Sequence, residues 1–293
     1  MPIAPANGVD IYYDTTGDPG DPALLLVMGF TAQMTHWDEA FCAMLAERGR
    51  FVIRFDNRDC GLSTHFDGVR VDLAAVLAAW ETGGDMPAVP YNMHDFASDA
   101  VGLLDHLQIA RAHIVGASMG GMIVQTMAID HPDRVLTMTS IMSTTGEKDY
   151  YQWDPATRAA LSKPVPTERN AYIDHSVATS RLLGGKRYFD AEATALRAGA
   201  AFDRAFYPEG ALRQTAAIRS SGHRADGLRA LRIPTLVIHG REDTLIKPTG
   251  GERTAELVAG ANLLLFHDMG HDLPRPLWPL MVDAIISHTT NAV

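Results

Sequence analysis

Ser118 lies in the run Gly116-Ala117-Ser118-Met119-Gly120, between the apolar residues His113-Ile114-Val115 and a helix-compatible run over 122–129. Gly-x-Ser-x-Gly between a strand and a helix is the setting of a nucleophile elbow, a sharp strained turn that holds a serine oxygen clear of the chain. Small residues are required where the strand and the helix nearly collide, and Gly116, Gly120 and Gly121 meet that demand. Met119 opens the helix, so its backbone N–H has no intrahelical partner and points toward any negative charge forming at Ser118. The bare pattern is weak alone. A serine hydroxyl is a poor nucleophile at neutral pH and needs a base in contact, with a third group to orient that base.

Two later loops hold candidates. After the apolar run 235–238 comes His239-Gly240-Arg241-Glu242-Asp243-Thr244, with Glu242 and Asp243 as acids. After 261–266 comes His267-Asp268-Met269-Gly270-His271-Asp272, with His267 and His271. Gly270 allows a tight approach beside His271, which lies past the strand end where a side chain can fold over the sheet edge. His271 is therefore the expected base, and Asp268 and Asp272 read as solvated loop charge. The chain order Ser, acid, His suits either Glu242 or Asp243. The chemistry expected is acyl transfer, in which imidazole takes the Ser118 proton as the hydroxyl attacks a carbonyl. The resulting oxyanion needs N–H donors about 3 Å away. Met119 N–H is one; the second is expected from Phe30, because Gly29 lets the loop after 23–28 come close, and the Phe30 ring would line the acyl pocket. This chemistry needs no cofactor, and no Cys-x-x-Cys spacing suggests a metal.

The rest of the chain must bring these loops together. Apolar runs at 9–13, read as an edge strand, and at 23–28, 51–55, 113–117, 135–142, 235–238 and 261–266 read as strands. Helical spacing covers 37–47, 71–80, 92–107 behind the capping Asn92, 119–130 up to Pro132, 251–258 and 277–288. Strands alternating with helices imply an α/β fold with a mostly parallel central sheet flanked by helices. The polar loop Asp56-Asn57-Arg58-Asp59-Cys60-Gly61-Leu62-Ser63 follows a buried strand, a place where α/β sites are built. Over 143–225 the character changes: no strand-type run occurs, and helical periodicity is broken by Pro155, Pro164, Pro166, Gly184-Gly185 and Pro208. Aromatics such as Tyr151, Trp153, Tyr172, Phe202 and Tyr207 gather there. The expected division is an α/β core of residues 1–142 and 226–293, with 143–225 inserted as a helical cap.

With these residues placed, the chain resembles the α/β-hydrolases over nearly its whole length. Leu24-Leu25-Leu26-Val27-Met28-Gly29 matches that family's strand and oxyanion turn, and residues 54–63 match its loop D-x-R-G-x-G-x-S. His239-Gly240-Arg241-Glu242-Asp243 matches the acid turn and Gly270-His271 the histidine turn. The resemblance implies Asp243 rather than Glu242 as the acid. It is closest to a bacterial esterase subgroup typified by aclacinomycin methylesterase, through Val27-Met28-Gly29, Arg58-Asp59 and Met269-Gly270-His271-x-Leu273-Pro274. Met28 stands where many relatives have His, and Asp59 where Gly is frequent. Ser rather than Asp at the elbow sets the chain apart from haloalkane dehalogenases and epoxide hydrolases.

The chain has 293 residues, 46% hydrophobic and 20% charged, an ordinary globular composition. A net charge of −10 argues against nucleic acid and anionic membranes as partners. No apolar stretch reaches the length of a membrane span. The first ten residues lack the charged and apolar regions of a signal peptide, so a cytoplasmic location is expected. Cys42 and Cys60 read as two reduced thiols. The function expected is a carboxylesterase acting on small to medium apolar esters through an acyl-enzyme. Carbon–carbon, lactone and perhydrolase chemistry use the same three groups, and a non-catalytic ligand-binding module is the alternative of a different class. Natural substrate and oligomeric state have no signal in the sequence.

Overall fold

The structure is a computed structural model in which residues 2–151 and 153–291 are described. Its strands are β1 (Ile3–Ala6), β2 (Val9–Thr16), β3 (Ala23–Val27), β4 (Phe51–Phe55), β5 (Ala112–Ala117), β6 (Val135–Ile141), β7 (Thr235–Gly240) and β8 (Asn262–Phe266). They form one sheet in the order β1-β2-β4-β3-β5-β6-β7-β8. The β1–β2 and β2–β4 pairs are antiparallel, and every later pair is parallel. The helices are α1 (Glu39–Ala46), α2 (Leu73–Thr82), α3 (Met93–His106), α4 (Met119–Asp130), α5 (Pro155–Leu161), α6 (Arg169–Leu183), α7 (Ala191–Ala205), α8 (Gly210–Ser220), α9 (Ala225–Ala230), α10 (Pro248–Leu257) and α11 (Trp278–Asn291).

The continuous apolar runs are explained by a sheet covered on both faces. In β3 the pleat sends Leu25 and Val27 into one core with Ile53, Phe96, Leu103 and Ile123. Leu24 and Leu26 enter the opposite core, with Trp37, Phe41, Trp278 and Ile285. The α3 start is fixed by a capping box: Asn92 Oδ1 accepts His94 N–H and Asp95 accepts Asn92 N–H. Among the differences from expectation, two have a plain local cause. The strand at residue 9 is not the edge, because β1 lies outside it. Its sequence, Ile-Ala-Pro-Ala, carries little strand signal, and its proline is tolerated only at such an edge. The first helix begins at Glu39 rather than at Trp37, because Asp38 caps it.

Between β6 and β7 the described residues form helices and no strand. Helices α7 and α8 are tied to the loops beyond β3 and β4. Gln33 Nε2 donates to Ala201 O and Ala205 O, and Gln214 Nε2 donates to Arg58 O. Thr31 N–H donates to Gln214 Oε1, Arg204 pairs with Asp56, and Arg213 pairs bidentately with Asp59. Asp59 has a φ of 60°, a left-handed conformation that accounts for glycine being common there. Here the aspartate is retained because its buried carboxylate also accepts Tyr91 O–H and Phe66 N–H.

Candidate active site

Strand order reverses between β3 and β5: after β3 the chain places β4 on one side of it, then crosses to build outward from β5 to β8 on the other. Such a switch point opens a crevice at the carboxyl ends of the strands. Ser118 stands there, directly after β5, with φ 57° and ψ −119°. A non-glycine residue so placed stores on the order of 1–3 kcal/mol of strain and persists only where its surroundings enforce it. Ser118 N–H donates to Ile141 O at the end of β6 (2.9 Å). Its carbonyl accepts Gly121 N–H and Ser143 Oγ–H at 2.9 and 2.8 Å. Close approach requires the glycines on either side. A Cβ on Gly116 would lie 2.1 Å from Gly120 O, and one on Gly120 would lie 2.0 Å from Val27 O.

The turn after β3 passes beside the hydroxyl. A Cβ on Gly29 would lie 3.0 Å from Ser118 Cβ and 3.5 Å from its Oγ. Phe30 follows in that turn, 39% exposed, and Met119 opens α4 and is buried. The turn is braced from the β4 loop, where Asn57 Nδ2 donates to Met28 O (2.9 Å). The fully buried Asp56 carboxylate accepts Met34 N–H, Leu62 N–H and Arg204.

His271 Nε2 lies 2.8 Å from Ser118 Oγ, and its Nδ1 lies 2.7 Å from Asp243 Oδ2. A carboxylate has no proton to give, so Nδ1–H donates to Asp243 and Nε2 accepts Ser118 O–H. Asp243 folds into its own turn, where Oδ1 accepts Leu245 N–H and Ile246 N–H (2.9 and 2.8 Å). Burial raises its carboxyl pKa, but the charge of His271 and hydrogen bonds from His239 and His271 outweigh burial and hold it down at about 2. Glu242 turns away and accepts Lys186 N–H (2.8 Å). His267 is exposed on the turn after β8.

Side chains without a sequence signal complete the surroundings. His239, fully buried at the end of β7, donates from Nε2 to Ile246 O (2.7 Å) and lies 3.4 Å from Asp243 Oδ2. Its position one strand residue before Gly240 gave no functional cue. Asp268 and Asp272 are not solvated loop charges: Asp268 pairs with Arg187, and Asp272 Oδ1 accepts the N–H groups of Gly270 and Gly185. Adjacency in sequence hid this, because Arg187 and Gly185 lie more than 80 residues upstream.

Comparison with known proteins agrees with this architecture. Residues 22–274 match a family described as α/β hydrolase fold. Rhodomycin D methylesterase DauP of Streptomyces sp. (strain C5) is 28% identical, over 97% of this chain and 96% of that protein. Rhodomycin D methylesterase DnrP of Streptomyces peucetius is 29% identical over the same shares. The crystal structure of the enol-lactonase from Burkholderia xenovorans LB400 has a TM-score of 0.76 and 22% identity, covering 99% of this chain and 100% of that one.

Proposed function

The chain belongs to the α/β-hydrolase family, and from that premise we propose that it is a serine carboxylic ester hydrolase. One observation carries the proposal: the hydrogen-bonded line from Ser118 Oγ through His271 to Asp243, at 2.8 and 2.7 Å, on a strained elbow. His271 takes the Ser118 proton as Oγ adds to the ester carbonyl, and Asp243 stabilises the imidazolium. The carbonyl oxygen becomes an oxyanion facing the N–H groups of Phe30 and Met119. Its collapse expels the alcohol, which leaves with the proton held by His271. Water, deprotonated by the same imidazole, then cleaves the acyl-enzyme and restores Ser118.

The helices between residues 143 and 225 are proposed as a cap over this site, bordering an apolar ester. The rhodomycin methylesterases, alike over nearly their full length, support methyl esters of bulky acids as the first substrate class to test. Cys42 and Cys60 are buried and free, which suits the reducing cytoplasm where we place the protein. The test sets p-nitrophenyl esters of rising acyl length beside methyl esters of bulky acids, with fluorophosphonate labelling of Ser118. Hydrolysis together with labelling supports the proposal. A protein that neither labels nor cleaves any ester is a binding module instead.

A further inference from the structure

We infer that Asp272 is a positioning residue for His271: one of its oxygens, shared between two backbone N–H groups, clamps the histidine loop to residues 182–187 of the helical insertion. This rests on the role proposed for His271. Oδ1 accepts Gly270 N–H at 3.0 Å and Gly185 N–H at 3.2 Å. Gly270 is the residue before the base, and Gly185 lies 87 positions upstream of Asp272.

The clamp does not stand alone. His271 N–H donates to Leu183 O at 2.7 Å, so the peptide N–H of the base itself is held directly against the same segment. The segment also holds the acid loop, through Thr244 Oγ1–H to Leu182 O (3.3 Å) and Lys186 N–H to Glu242 Oε2 (2.8 Å). Arg187 closes its far end on Asp268 (2.7 Å). Glycine is required on both sides. A Cβ on Gly270 would lie 2.4 Å from Leu183 O, and one on Gly185 would lie 2.4 Å from Asp268 O. Burial raises the Asp272 carboxyl pKa more than its N–H donors lower it. Its oxygen accepts in either protonation state, so the clamp needs an acceptor rather than a charge.

The insertion therefore is not a lid that lifts away whole. Its α6–α7 connection is part of the support for the base and the acid, and any opening must come from elsewhere in the insertion.

The test compares Asp272→Ala with Asp272→Asn, which keeps an acceptor oxygen without the charge. The readouts are kcat and KM on an activated ester, the rate of Ser118 labelling by a fluorophosphonate, and amide exchange at Gly270 and His271. Asp272→Ala is expected to lower kcat about tenfold to a hundredfold, the usual cost of a misplaced catalytic group, with little change in KM and faster exchange at both amides. Asp272→Asn is expected to restore most of the kcat and the slow exchange. Parental kcat and exchange in Asp272→Ala, or Asn as damaging as Ala, overturns the inference. If Asp272→Ala does not fold, Glu242→Ala loosens the other end of the segment. It should lower kcat severalfold and speed exchange at Lys186, with Glu242→Gln recovering both; unchanged kcat and exchange in Glu242→Ala again overturns it. A parent that neither labels nor cleaves esters defeats the hydrolase proposal alone, since the exchange data still decide whether the clamp exists.

Discussion

At the scale of single residues, the proposed reaction makes Ser118 and His271 a unit in which neither works without the other. Ser118→Ala and His271→Ala are each expected to lower kcat by roughly 10⁶-fold, and the double variant hardly further. Asp243→Asn should cost about 10⁴-fold, because an amide no longer fixes the imidazole tautomer, while Glu242→Gln changes kcat little. Steady-state kinetics on one activated ester checks all of these, and a large Glu242→Gln effect with a mild Asp243→Asn effect would move the acid by one position. With its carboxyl held at about 2 by its partners, Asp243 stays charged on mild acidification, so a loss of kcat/KM there would not be its own. Chain order could not separate Glu242 from Asp243. Backbone geometry does, by folding Asp243 onto the N–H groups of Leu245 and Ile246 and directing Glu242 to Lys186.

At the scale of elements, what was legible followed from burial. Parallel strands covered on both faces read as apolar runs, so β3 to β7 stood out to within a few residues; β8, at the exposed edge, was still legible from its leucines, and the elbow could be read from its glycines. β1 was not legible, since four alternating residues with a proline make no strand signal until β2 is there to pair with them. The roles of α7 and α8 were equally hidden, because Arg204 and Arg213 find their acids, Asp56 and Asp59, only in three dimensions. The Asp59–Arg213 pair is buried at both ends. Removing one partner strands a charge, which typically costs 3–5 kcal/mol. Arg213→Met should therefore lower unfolding free energy by about that much in urea titrations. Adding Asp59→Gly should recover part of it, because the charge is gone and φ of 60° suits glycine, although Tyr91 O–H and Phe66 N–H lose their acceptor. If the double variant is no more stable than Arg213→Met, the stranded charge is not the cause.

At the scale of the whole molecule, stability and catalysis respond to acid through different groups. His113 lies in β5, 1% exposed, with Nδ1 2.9 Å from Thr137 Oγ1. Burial, with Arg50 and His288 nearby, lowers its pKa from 6.5 to about 4. The folded protein thus keeps this imidazole neutral, and the unfolded chain protonates it. Its contribution is complete above pH 6.5 and is lost as pH falls toward 4, on the order of 3 kcal/mol at the limit. His36 is half-buried, has its pKa lowered to about 4 by desolvation and by Arg197, and acts with the same sign. The unfolding midpoint should therefore fall steadily from pH 7 to pH 4 in the parent and less steeply in His113→Gln. Equal slopes would place the acid sensitivity elsewhere. Because His113 lies inside β5, away from the loop after β8 that brings His271 to Ser118, stability and activity separate in His113→Gln. That variant should keep the parental pH profile of kcat/KM while flattening the pH dependence of unfolding.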